Sequence, residues 1–269
     1  MSSGWAGVEG VLFDYGNTLA GFARPSDALS RAYAQIATLL RSRGLASPSG
    51  AVLLRDVHDR VEDAFVAHQR SGVLEEINLV EVAHRAFADL GLRLDAALLD
   101  EVLVIEQRAW WEGVRIDPEA IPVLDALRAM GLRVGLCSNA PYRVQSMHAQ
   151  LDHFGLRAHL DAITFSGEVG WRKPAPRIFE RALDALATSA DHTVMVGDTE
   201  LDDVSGAHGA GMRAVLARTY AGDAPEGTAA DAVIRSLGEI VALFKRDRRA
   251  YTAQLGKRLS TLGHEASDR

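Results

Sequence analysis

Four short stretches of this chain hold residues that do chemistry when brought together. They are Asp14-Tyr15-Gly16-Asn17-Thr18, Ser138-Asn139, Lys173-Pro174, and Gly197-Asp198-Thr199 with Asp202 and Asp203 close behind. A carboxylate can attack a phosphoryl group only if cations offset the negative charge on both partners; unscreened, the approach costs several kcal/mol. A lysine supplies one compact positive charge. Paired carboxylates suit Mg2+, which prefers oxygen ligands and keeps several positions for water or phosphate. Singly, each stretch says little, because an Asp after a strand is most often a turn residue or a helix cap. Their arrangement depends on the elements that carry them.

Val8–Phe13 is a short apolar run that ends in Asp, Gly and Asn, which reads as a buried strand running into a turn. From Ser26 to about Arg115 the chain is rich in Ala, Leu, Arg and Glu. Its apolar residues fall at helical spacing, and Gly44, Pro48, Gly72 and Gly91 divide it into roughly four helices. No strand is expected there. After Pro118, helices and strands alternate: helix 120–130, strand 133–137, helix 142–154, strand 162–165, helix 176–187, strand 193–196, helix 201–209 and strand 213–216. A last strand near 232–234 leads into a helix at 237–245. Such alternation implies a parallel sheet with helices on both faces. The expected fold is therefore α/β: a doubly wound, Rossmann-like parallel-sheet core with an inserted helical-bundle cap. The core takes residues 1–20 and 116–247, the cap 21–115, and a polar tail 248–269. In such a sheet the functional groups gather at the carboxyl ends of the strands, where all four stretches fall.

The bulk properties narrow the function. Hydrophobic residues make up 48% and charged residues 24% of 269, an ordinary globular composition. The net charge of −7 and pI near 5.7 argue against a nucleic-acid or anionic-membrane partner. A small anionic substrate is compatible, since a local pocket can be positive within an acidic whole. The single cysteine, Cys137, allows no intrachain disulfide. The N-terminal stretch lacks a basic segment and a long apolar run, so a cytoplasmic protein is expected. Only three of the 29 basic residues are lysine, and one of the three is Lys173.

The order FDYGNTL, CSN, GWRKPAPRIFE, VGDTELDDVSGAHGAGM resembles the four motifs of the haloacid-dehalogenase superfamily, over about Val8 to Met212. The helical insert after the first motif is similar to the cap of its subfamily I members. The resemblance implies a Mg2+-dependent phosphohydrolase acting on a small phosphorylated metabolite. In that reading Asp14 is the nucleophile and forms an aspartyl-phosphate. Thr18, Ser138 and the amide of Asn139 bind phosphate. Lys173 neutralises the nucleophile and the phosphoryl charge. The metal is held by Asp14, the Gly16 carbonyl and Asp198, and Asp203 or Asp202 supports the metal or the lysine.

One position departs from the pattern. Family phosphatases carry a second Asp two residues after the nucleophile, which protonates the leaving oxygen and then activates water. Here that position is Gly16, and Asn17 cannot replace it as an acid or base. Three readings follow: a substrate with a good leaving group such as an acyl or aryl phosphate; a substitute acid from Asp59, Glu62, Glu75, Glu76, Glu200 or Asp202; or a catalytically weak protein that binds a ligand or regulates a partner. The metal-free dehalogenase class is disfavoured by Gly197-Asp198. The phosphonate-cleaving class needs a cap lysine, and no lysine precedes Lys173. A transport ATPase would need a large membrane domain. Cys137 reads as a packed core residue, Trp110 and Trp111 as packing between cap and core, and Arg24 as a surface ion pair.

Overall fold

A computed structural model of the chain describes residues 4–220 and 227–245. The expected tail at 248–269 lies outside the described residues. Six parallel strands form the central sheet: β1 (Gly10–Phe13), β4 (Arg133–Ser138), β5 (Ala162–Phe165), β6 (Thr193–Gly197), β7 (Arg213–Ala217) and β8 (Ala232–Ile234). They lie in the order β5-β4-β1-β6-β7-β8. The chain leaves β1 towards β4 and β5, then returns to the other side of β1 for β6, β7 and β8. The order therefore reverses beside β1, which opens a crevice at the strand ends there.

Side chains from β1 alternate between two cores. Val11 and Phe13 join one apolar cluster, and Leu12 joins the other. The first cluster is closed by α6 (Ala120–Ala129), α7 (Val144–His153) and a helix over 238–245, through Leu124, Leu127, Leu151, Ile240 and Phe244. The second is closed chiefly by α9 (Pro176–Leu186), through Ile178, Phe179, Ala182 and Leu186. Both faces of the sheet are thus covered, as the alternating pattern predicted.

Between β1 and β4 stands the helical insert. It comprises α1 (Ser26–Ser42), α2 (Gly50–Leu53) running through a π-helical turn (Leu54–Asp59) into α3 (Arg60–Ser71), α4 (Leu79–Asp89) and α5 (Ala96–Trp110). These four rods share a third core that includes Tyr33, Ile36, Leu40, Val57, Phe87, Leu99 and Val102. Their starts are set locally: the side chains of Asn78 and Asp95 accept from the amides of Glu81 and Leu98 at 3.1 and 2.8 Å.

The sequence reading expected no strand from Ser26 to about Arg115 and named none at Ala20–Phe22, and the structure differs there. Where the chain enters and leaves the insert, β2 (Ala20–Phe22) pairs antiparallel with β3 (Val114–Ile116). Three-residue strands of mixed burial carry too little periodicity to register in a sequence. A second link joins insert and core: the Glu76 amide donates to Gly170 O and the Arg172 amide to Leu74 O, both at 2.9 Å. This link brings the insert to within one residue of Lys173.

Candidate active site

Asp14 emerges at the carboxyl end of the central strand β1, and its amide donates to Val196 O of β6 at 2.8 Å. The chain then folds back at once. Tyr15 O accepts from the amides of both Leu19 and Ala20 at 3.0 Å, and Asn17 takes a left-handed φ of 54°. Asparagine tolerates that region better than most residues. Gly16 does not sit in the left-handed region, and a Cβ built there would meet nothing nearer than the Phe22 ring at 3.8 Å. Neither backbone nor space demands glycine at this position.

The other motifs close around Asp14. Ser138, ending β4, donates from Oγ to Asp14 Oδ1 at 2.9 Å. Lys173 Nζ donates to the same Oδ1 at 2.8 Å and to Asp203 Oδ1 at 2.6 Å. Both bonds to Asp14 land on Oδ1, which leaves Oδ2 outside this network. Asp203 is held in turn: its Oδ2 accepts from the Thr199 amide at 3.0 Å and the Thr199 hydroxyl at 2.8 Å. Gly197 makes this approach possible, because a Cβ there would lie 2.2 Å from Asp203 Cγ. Asp14, Asp198 and Asp203 each place a carboxylate oxygen within 4.8 Å of the others.

The electrostatics follow from burial. Burial pushes the Asp14 carboxyl above its usual range, with the Lys173 ammonium opposing and the Asp203 charge adding to the rise. Burial alone would lower the Lys173 ammonium, but Asp14 and Asp203 outweigh it and hold the lysine charged. Asp198 is raised to about 6 by burial and by the nearby Asp14 and Asp203 carboxylates.

Asn139 has a use that its sequence position did not reveal. Its Oδ1 accepts from the Lys173 amide at 2.7 Å, and its Nδ2 donates to Lys173 O at 3.2 Å. The carboxamide thus clamps the backbone that carries the lysine. The same Nδ2 lies 3.2 Å from Asp202 Oδ2, and Arg172 Nη2 is 3.4 Å from that oxygen. Asp202 therefore faces Asn139 and Arg172, and not the three-carboxylate cluster. Thr18 is fully buried, and its hydroxyl has no hydrogen-bond partner among the described residues.

A cavity of about 350 Å³ opens beside this cluster, reached through Gly16, Ser138 and Asn139. Its walls carry Tyr15, Phe22, Phe65, Trp110, Trp111 and Tyr142, and none of its lining residues bears a charge. Trp110 and Trp111, read from sequence as packing, line this space. Trp111 also stacks on His153 at 4.3 Å between centroids.

A family model for haloacid dehalogenase-like hydrolases matches residues 8–211. The chain belongs to this hydrolase family. It is 41% identical over 98 residues to a phosphoserine phosphatase of Thermus thermophilus, covering 36% of this chain and 39% of that protein. The chain thus spans well under half of that relative. Among solved structures, a phosphatase of this family from Thermococcus onnurineus superposes with a TM-score of 0.61 at 25% identity, over 90% of this chain and 100% of that one. A 2-haloacid dehalogenase from Pseudomonas syringae gives 0.66 at 24%, over 89% and 99%. Since a phosphatase and a dehalogenase share the fold this closely, the fold does not choose the chemistry.

Within this family member, the candidate substitutes for the missing acid are placed unequally. Asp59 is ion-paired with Arg24 at the surface. Glu200 accepts from the Thr228 hydroxyl and the Ala229 amide, both at 2.8 Å. Glu76 accepts from the Ile77 amide at 2.9 Å, and Glu75 forms an isolated bridge with Trp171. Glu62 lines a small pocket that shares Gln107, Trp110 and Tyr142 with the large cavity. Burial raises its carboxyl, with His58 opposing. Of the six, Glu62 is the one that lines the small pocket adjoining the cavity.

Cys137 is fully buried, and burial raises its thiol to about 12. A thiol that is neither exposed nor ionised does not react. Thiol reagents are therefore expected to leave the native protein unlabelled and to modify one site after denaturation, as mass spectrometry would show. Among the described residues, no helix is long and apolar enough to cross a membrane.

Proposed function

We propose that this chain is a Mg2+-dependent phosphohydrolase that acts on a small phosphorylated metabolite through Asp14 and favours substrates with good leaving groups. The observation that carries the reading is the sharing of one Asp14 oxygen by Ser138 Oγ and Lys173 Nζ, with Asp198 within reach of the same carboxylate. The phosphatases among its relatives support phosphate-ester chemistry.

The donor set fits a divalent cation. Three carboxylates stand against one buried ammonium, an excess of negative charge that such a cation offsets. Asp203 has both oxygens committed to Lys173 and Thr199, so Asp14 and Asp198, with the Gly16 carbonyl, are the residues that would hold Mg2+. Bound there, the cation would neutralise phosphoryl charge and orient the phosphate.

Asp14 attacks phosphorus, and the bond from phosphorus to the leaving oxygen breaks with its electron pair on that oxygen. Lys173 and Ser138 hold the carboxylate, and Lys173 offsets the charge that accumulates. Thr18 and the Asn139 amide take phosphate oxygens, and the Ser138 hydroxyl turns its one proton from Asp14 to a phosphate oxygen as the carboxylate reacts. Water then attacks the phosphorus of the aspartyl-phosphate, which frees the carboxylate and releases phosphate. An aryl or acyl leaving group departs without a proton, which removes the need for the acid that Gly16 cannot supply. Residues 21–115 act as a cap hinged at the β2–β3 ribbon and exclude water from this chemistry.

A second reading has one observation in its favour. No carboxylate lines the large cavity, so a ligand-binding protein with weak catalysis also fits. Phosphate release with Mg2+ from acetyl, aryl and alkyl phosphates separates the two. The expected order is acetyl and aryl well above alkyl, with all release lost on chelation. No chelator-sensitive release from any of them would favour the binding protein.

The space at Gly16 leads to a further expectation. A Cβ placed there meets only the Phe22 ring, so the position has room for a side chain to start. Gly16→Asp is therefore expected to raise kcat/KM, which reports the leaving-group step, by about 10²-fold on alkyl phosphates and to change it little on aryl phosphates. Equal changes for both classes would count against the missing proton donor as the cause of the preference.

A further inference from the structure

Two glutamines stand in the wall of the large cavity, Gln107 on α5 and Gln150 on α7. Gln150 is only 5% exposed. The carboxamide oxygens of both are buried and have no hydrogen-bond partner among the described residues. Buried polar atoms are paired in the great majority of cases, so unmet atoms on three residues of one cavity, these two acceptors and the Tyr15 hydroxyl, point to a polar occupant. Phe65, Trp110 and Tyr142 share the lining with them, and no described lining residue carries a charge. An ionised substrate half would enter this space without a counter-charge and would lose its hydration. A small polyol would leave the aromatic walls unfilled. A flat ring fills such a space, and its N–H or O–H groups would satisfy the two acceptors.

We infer that this cavity seats the alcohol half of the phosphorylated substrate, and that this half is an uncharged aromatic or heteroaromatic ring bearing at least one N–H or O–H donor. The inference rests on the phosphohydrolase reading for the phosphate end, and it names the class of molecule that reading leaves open. It also accords with Gly16. A phenolic or enolic oxygen on such a ring leaves readily without general acid help.

The test uses the full chain with phosphate-free probes: para-hydroxybenzamide, the donor-free ring anisole, glycerol and serine, followed by ligand-observed NMR titration. Expected is binding of both ring compounds, with para-hydroxybenzamide the tighter, and none of glycerol or serine at the same concentrations. Gln150→Leu should weaken para-hydroxybenzamide about tenfold and anisole, which has no donor, less than twofold. Gln107→Leu provides the same comparison should the first variant fold poorly. Binding of glycerol or serine as tight as that of the rings overturns the inference. So does an equal loss for both ring compounds in a folded variant. Phosphate release from para-carbamoylphenyl phosphate and glycerol phosphate is measured in parallel. Ring binding without any Mg2+-dependent release removes the hydrolase reading and supports the cavity assignment. Release that favours glycerol phosphate keeps the hydrolase and removes the ring.

Discussion

Asp14→Asn is expected to abolish Mg2+-dependent phosphate release, by on the order of 10⁴-fold or more, while leaving the protein as stable as before. A carboxamide cannot attack phosphorus under these conditions, and no other carboxylate shares an oxygen with Ser138 and Lys173 in the described residues. Stability is the more telling half of the prediction. Without metal, Asp14 and Asp203 place two buried carboxylates on one ammonium. The asparagine removes one of those charges. Its oxygen can still accept from Ser138 and Lys173, and Lys173 keeps Asp203. Unfolding measured in the absence of Mg2+ should therefore give a Tm equal to or above that of the parent. An inactive variant with an unchanged melt would assign the loss to chemistry. A sharp drop in Tm would mean that the Asp14–Lys173 pair is chiefly structural.

Lys173→Met should behave in the opposite way. It leaves Asp14 and Asp203 buried beside each other without their cation. Removing one partner of a buried ion pair costs about 3–5 kcal/mol, which for a chain of this size corresponds to a fall in Tm of about 10 °C. Activity should fall by about 10²–10³-fold, since the charge on the phosphoryl group loses one of its two expected cations. Mg2+ should raise the Tm of this variant more than that of the parent, because the added cation meets a larger excess of buried negative charge. Parallel melts with and without Mg2+ would check this. An equal shift in both proteins would mean that the cation does not bind near Asp14 and Asp203.

The contrast between these two variants comes from how the lysine is held. Asn139 clamps its backbone on both sides, and the insert bonds to the residues just before it through Leu74 and Glu76. Asp203 and Thr199 fix its far end. The ammonium is thus preorganised, and substitution at Lys173 leaves the backbone clamp while removing the charge held between Asp14 and Asp203.

Much of this architecture was legible in the residues alone. Buried parallel strands need continuous apolar runs, and crossover helices need apolar residues at three- and four-residue spacing, so their alternation after Pro118 identifies a doubly wound sheet. The convergence of Asp14, Ser138, Lys173, Asp198 and Asp203 follows from that topology, because Asp14, Ser138 and Asp198 lie at or just beyond the carboxyl end of a strand and Lys173 and Asp203 lie in the segments that follow β5 and β6. The absence of a proton donor at Gly16 is likewise a statement about one residue type. Tertiary structure decided the remainder. Tyr15, Phe65, Gln107, Trp110, Tyr142 and Gln150 share no spacing and meet only because α3, α5, α7 and the β1 loop pack around one cavity. The clamp of Asn139 on Lys173 joins residues 34 apart, and the ribbon of β2 and β3 joins strands too short to show a period. Local patterns record which face of an element is buried. They carry no record of which distant element buries it, and the walls of this cavity are made entirely of such distant meetings.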